Sequence, residues 1–147
     1  MSAWLECWMK YAVFSGRAGR KEYWMFVLIN GIISVMLSAV MPLLSLDYSL
    51  VALLPSLSVG VRRFHDIGRS GKSFACYIVP IYVCIVLIPF LEWATKPRVG
   101  LIPQDSIPIV LIPVILFLPM VLSVMLICVL ARRGQPQTNQ YGEPPVA

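Results

Sequence analysis

Arg62-Arg63-Phe64-His65-Asp66-Ile67-Gly68-Arg69-Ser70-Gly71-Lys72 is a charged knot in a chain that carries few charges elsewhere. Uncharged stretches flank it on both sides: Tyr23–Leu46 and Tyr48–Val61 before it, Ser73–Leu91 and Ser106–Ala131 after it. An ionised group in hydrocarbon costs roughly 2.5 kcal/mol or more, so the knot belongs at a water–lipid boundary. It also holds the single histidine, and any chemistry would have to be centred there.

The 147 residues are 59% hydrophobic and 13% charged, with a mean hydropathy of +0.80. A soluble domain is about 45–50% apolar and about 25% charged, so composition predicts an integral membrane protein. The four uncharged runs measure 24, 14, 19 and 26 residues. A spanning helix needs about 17–25. The 14-residue run is extended by Phe64 and by the snorkelling stems of Arg62 and Arg63. The predicted fold is therefore all-α, one membrane domain over 1–147. Its four transmembrane helices fall at about 23–44, 48–64, 73–91 and 106–131. The first two form a hairpin turning near Ser45–Ser49, with Asp47 at its tip.

Charge bias fixes the expected orientation. With four spans, segments 1–22, 62–72 and 132–147 share one side and carry ten of the twelve Lys and Arg residues; the other side keeps Lys96 and Arg98. The positive-inside rule then places both termini in the cytoplasm of a multi-pass inner-membrane protein. The charged first 22 residues and the long run after them read as a retained anchor rather than a cleaved signal. The net charge of +5 follows from the inside loops and calls for no nucleic-acid partner. Cys7, Cys76, Cys84 and Cys128 lack metal-ligand spacing and read as small hydrophobes, so no metal, cofactor or disulfide framework is expected.

Along residues 3–14 a helical projection places Trp4, Leu5, Trp8, Met9 and Ala12 on one face, with Glu6 and Lys10 opposite. That pattern predicts an amphipathic helix lying in the membrane interface. Asn30, Ser34 and Ser38 recur every four residues in the first span, as do Ala52, Ser56 and Gly60 in the second. Small and polar stripes let membrane helices approach closely. They predict packing between these two helices or, more sharply, the seam of a homo-oligomer. The last two runs are rich in proline, Glu92–Asp105 reads as a small outside loop, and the tail 132–147 is expected to be loosely ordered.

Three blocks then become recognisable: Phe14-Ser-Gly-Arg-Ala-Gly-Arg-Lys-Glu-Tyr-Trp24, Val61-Arg-Arg-Phe-His-Asp-Ile-Gly-Arg-Ser-Gly71 and Asn139-Gln-Tyr-Gly-Glu-Pro144. In content and order they resemble the signature blocks of domain-of-unknown-function family number 805, small bacterial inner-membrane proteins. The resemblance implies membrane residence and supplies no activity.

The function must be read from the residues. The predicted topology gathers Arg17, Arg20, Arg62, Arg63, His65, Asp66 and Arg69 on one membrane face. In the plain reading the arginines lock orientation, Asp66 and Glu22 pair with them, and His65 bonds a backbone carbonyl or a headgroup. In the sharper reading the arginine forks bind anions, with Gly68 and Gly71 turning backbone N–H groups toward the same site; membrane lipid headgroups are the expected partners. Catalysis is the weakest reading, because one histidine beside one carboxylate makes a poor metal site and no nucleophile or phosphate-loop motif appears. We therefore assign no catalytic residue. The sequence reads as a non-enzymatic scaffold or accessory protein whose cytoplasmic basic cluster contacts anionic lipid. The alternative is a membrane enzyme or transporter acting on an anionic or phosphorylated substrate.

Overall fold

In a computed structural model, the described residues are 3–95 and 111–145, with side chains for 4–87 and 117–145. They form helices α1 (Ala3–Met9), α2 (Arg20–Val40), α3 (Pro42–Asp66), α4 (Gly71–Thr95) and α5 (Leu111–Leu130). The described residues form an all-helical fold without a β-strand. Two compact units are present, one drawn from Met1–Phe74 and Leu130–Ala147, the other from Ala75–Val129.

The hairpin turns earlier than its polar residues suggest. α2 ends at Val40, Met41 is extended (φ −142°, ψ 85°), and Pro42 opens α3. Proline pushes the residue before it out of the helical region and is itself suited to a first helical position. Ser45, Asp47 and Ser49 therefore lie inside α3 and not in the turn. Ser49 Oγ donates to the Ser45 carbonyl at 2.7 Å and Ser45 Oγ to Ser34 O at 3.4 Å, which absorbs the hydroxyls without breaking the helix. α2 and α3 are each long and apolar enough to cross a membrane. At about 1.5 Å per residue, the 25 residues of α3 are longer than the roughly 30 Å hydrocarbon core of a bilayer.

Of the small and polar stripes, Asn30 makes a side-chain bond between α2 and α3. Asn30 donates to Phe26 O at 2.7 Å and accepts from the Tyr48 hydroxyl. Ser56 donates to Ala52 O at 2.6 Å. A Cβ at Gly60 would run into the ring of Phe74, so Gly60 is the seat for that ring. Ser38 is exposed and donates to Val35 O at 2.8 Å.

α1 packs on α2 and α3 through Trp4 and Trp8 of the expected face together with Cys7, and not through Leu5 and Met9. Leu5 and Met9 are exposed, while Cys7 is fully buried in a cluster with Ala18, Phe26 and Val59, flanked by Trp4, Trp8 and Tyr23. The helix ends at Met9, and Lys10 and Val13 then present their carbonyls to Ser58 Oγ at 2.9 and 2.6 Å. Two large indoles and a small thiol fill the groove between two helices better than an aliphatic stripe would. The apolar side chains of α2 and the first half of α3 face outward instead, as they would toward lipid. The expected loop Glu92–Asp105 lies largely outside the described residues.

Candidate functional site

Gly68 decides how the knot is built. It has φ +77°, its N–H donates to His65 O at 3.0 Å, and Arg69 N–H donates to Phe64 O at 2.9 Å. This is a Schellman cap, the 6→1 and 5→2 pair that ends a helix on a left-handed glycine. The knot is therefore the last two turns of α3 plus its cap. The Gly68 N–H, expected to face an anion, is consumed by α3 itself.

Ending α3 here turns Arg62, Arg63, His65 and Asp66 inward, and all four are buried. Asp66 is the shared centre. Its Oδ1 accepts from Arg17 Nε at 3.0 Å and Nη2 at 2.8 Å, and its Oδ2 from Arg63 Nη1. Arg62 Nη1 pairs with Glu22 Oε1 at 2.8 Å. Three buried arginines thus face two carboxylates, which leaves one positive charge in excess. A buried charge must be met by acceptors.

Most of those acceptors come from the C-terminal tail, which is docked on the knot and not loosely ordered. Arg63 donates to Leu130 O at 3.1 Å and to Arg132 O. Arg17 donates to Gln137 O at 2.8 Å, to Gly142 O at 3.3 Å and to Gln135 O. Gln135 N–H donates to Asp66 O at 2.9 Å, and Asn139 Nδ2 to His65 O at 2.9 Å. Asn139 and Gly142 close a tight turn through reciprocal backbone bonds of 3.1 and 3.0 Å. Tyr141, inside that turn, stacks its ring on His65 at 3.8 Å and 1°. Gly134 is required by contact: a Cβ there would lie 2.6 Å from Asp66 Cγ. None of these tail residues was singled out as part of the site from sequence, although Asn139–Pro144 stood out as a block.

His65 and Asp66 are adjacent in sequence but do not work as a pair. Both Asp66 oxygens are taken by arginines, whereas His65 Nδ1 lies 3.1 Å from Gly16 O and so carries the proton. Arg20 is exposed and Arg69 half-buried; neither joins the buried network, and Lys21, Lys72, Arg132 and Arg133 are exposed as well. Cys7 Sγ lies 3.6 Å from Glu22 Oε1. Burial, reinforced by that carboxylate and only partly offset by Arg62, pushes the thiol up to about 12, which keeps it protonated and inert. Among the described residues no three His, Cys, Asp or Glu side chains gather where they could hold a metal ion.

Aliphatic side chains turned outward and two helices long and apolar enough to cross a membrane fit an integral membrane protein. The chain belongs to the family of proteins of unknown function DUF805, whose model matches residues 11–143. It is 40% identical over 97 residues to the inner membrane protein YhaI of Escherichia coli K12, covering 61% of this chain and 82% of that one. It is 32% identical over 108 residues to the inner membrane protein YhaH of the same strain, covering 66% and 89%. No solved structure matches it. The chain is thus a bacterial inner-membrane protein of this family.

Proposed function

We propose that the protein is a small non-enzymatic scaffold of the inner membrane, with four spans and both termini cytoplasmic, whose basic face holds anionic lipid headgroups. The observation that carries this reading is the division of labour among its cations. Arg17 and Arg63 are spent on Asp66 and on carbonyls, which makes them framework. Arg20, Lys21, Lys72, Arg132 and Arg133 remain exposed beside that framework and are free to meet a leaflet. The docking of Leu130 and Arg132 onto Arg63 supports an even number of crossings between the ends of α3 and α5. The enzymatic alternative would rest on His65, whose ring is covered by Tyr141 and whose Nδ1 is turned to Gly16.

A juxtamembrane Lys or Arg contributes about 1 kcal/mol against an anionic leaflet. Replacing Lys21, Lys72, Arg132 and Arg133 together by Gln should therefore abolish enrichment of phosphatidylglycerol over phosphatidylcholine in the lipid shell of the purified protein, counted by native mass spectrometry. Equal enrichment in wild type and the quadruple variant would sink the surface-contact reading.

A further inference from the structure

Arg62 differs from the other two buried arginines. It is 2% exposed and uses Nη1 on Glu22; its Nε and Nη2 are buried without a hydrogen-bond partner among the described residues. The indole Nε1 atoms of Trp4 and Trp8 are in the same condition. The indoles and the Arg62–Glu22 pair are linked through α1, while Trp8 itself packs on Phe26 and Tyr48. Trp4, Cys7 and Trp8 occupy one face of α1, the two indole rings are 6.1 Å apart, and both pack on the cluster around Cys7. Cys7 in turn touches the Glu22 oxygen that holds Arg62.

Each of these groups is a donor, and a buried donor left unpaired costs about 1–3 kcal/mol. Nε and Nη2 form one edge of the guanidinium, the edge that grips two oxygens of a phosphate or carboxylate in parallel. An oxyanion brings the acceptors that Arg62 Nε and Nη2 lack, while Glu22 keeps Nη1. It would also neutralise the excess positive charge of the knot. Tryptophan indoles favour the depth of lipid headgroups, where phosphate is abundant.

The geometry points to a phosphate-oxyanion site between α1 and the end of α3, gripped by Arg62 Nε and Nη2, with the indoles of Trp4 and Trp8 on α1 as its reporters. α1, whose Leu5 and Met9 face outward, is its cover and lifts for the ligand to exchange. The site deepens the lipid-contact reading and rests on it for the source of the phosphate, which is a phospholipid headgroup.

The test uses the full chain with its four tryptophans labelled with nitrogen-15, in a phosphate-free maltoside detergent, read by the indole N–H resonances in NMR. Trp4→Phe and Trp8→Phe assign two of the four signals and keep most of the ring packing. Phosphatidylglycerol should shift the Trp4 and Trp8 signals and leave that of Trp24 in place. Arg62→Lys keeps the charge for Glu22 but lacks the two-donor edge, and should weaken the response by about tenfold. Inorganic phosphate forms the second arm: a response to it alone, with none to the lipid, overturns the headgroup as source. Signals that move with neither probe mean that water fills the donors, and the site is then wrong. That failure would leave lipid enrichment at the exposed cations untouched. Conversely, equal enrichment in wild type and the quadruple Gln variant would sink the surface-contact reading and leave the indole response in place.

Discussion

The two halves of α3 are opposites on one helix. In the first half Leu43 is 79% exposed and Leu50 70%; in the second, Arg63 is 0% exposed and His65 8%. Aliphatic side chains face out and guanidiniums face in, the reverse of a soluble core. In lipid the arrangement is the cheaper one, because outward aliphatics cost nothing there and polar groups must find partners within the chain. The difference teaches that the energetic centre of this protein is its polar end. The apolar half holds position in the bilayer, and the charged half holds the chain together.

The comparison breaks hardest at Asp66. Asp66→Ala removes the only carboxylate shared by Arg17 and Arg63, and stranding buried charges costs about 3–5 kcal/mol. The variant should fail to accumulate in the membrane. Asp47→Ala, at an exposed position in the other half, should accumulate like wild type. Equal levels of the two variants on a quantitative blot would mean that the polar end is not the energetic centre.

A pair of glycines sharpens the same contrast. At Gly134 an added methyl group collides with the Asp66 carboxylate, whereas at Gly31 it meets nothing within 4 Å. Gly134→Ala should cost about 1–3 kcal/mol as overpacking and loosen the tail, so that hydrogen exchange at Gln135, Asn139 and Gly142 accelerates. Gly31→Ala should gain up to about 1 kcal/mol from helix propensity and leave those amides protected. Tail exchange that is unchanged in Gly134→Ala would show that the tail does not depend on its contact with Asp66.

Much of this was legible because charge in an apolar chain has few places to go. Asp66 and Glu22 stand next to arginines in the sequence and in the expected topology, so pairing with arginine could be read from it. The hairpin turn was misplaced because the polar residues Ser45, Asp47 and Ser49 stood out more than Pro42, although it is Pro42 that forces Met41 out of the helix. Part of the face of α1 was misjudged because a helical projection ranks residues by hydrophobicity, while the groove selects for shape, taking Cys7 and leaving Met9 outside. The tail was hidden for a deeper reason. It binds mostly through backbone carbonyls, which every residue possesses and no composition reveals. Only Asn139, Tyr141 and the close contact of Gly134 leave a trace in sequence.

The smallest effect distinguishes what Tyr141 does from what the tail backbone does. Its ring lies flat on His65, a contact of the kind worth about 0.5–1.5 kcal/mol beyond simple burial. The carbonyls of Gln135, Gln137 and Gly142 meanwhile satisfy Arg17 independently of that ring. Tyr141→Ala should therefore speed exchange in the turn Asn139–Gly142 by about tenfold or less, leave Gln135 protected by its bond to Asp66, and leave membrane levels unchanged. Tyr141→Phe, which keeps the ring, should match wild type throughout. If Tyr141→Ala instead released Gln135 as well, the stacked ring would be the anchor on which the whole tail depends, and the carbonyls that meet the buried arginines would be held in place by a side chain.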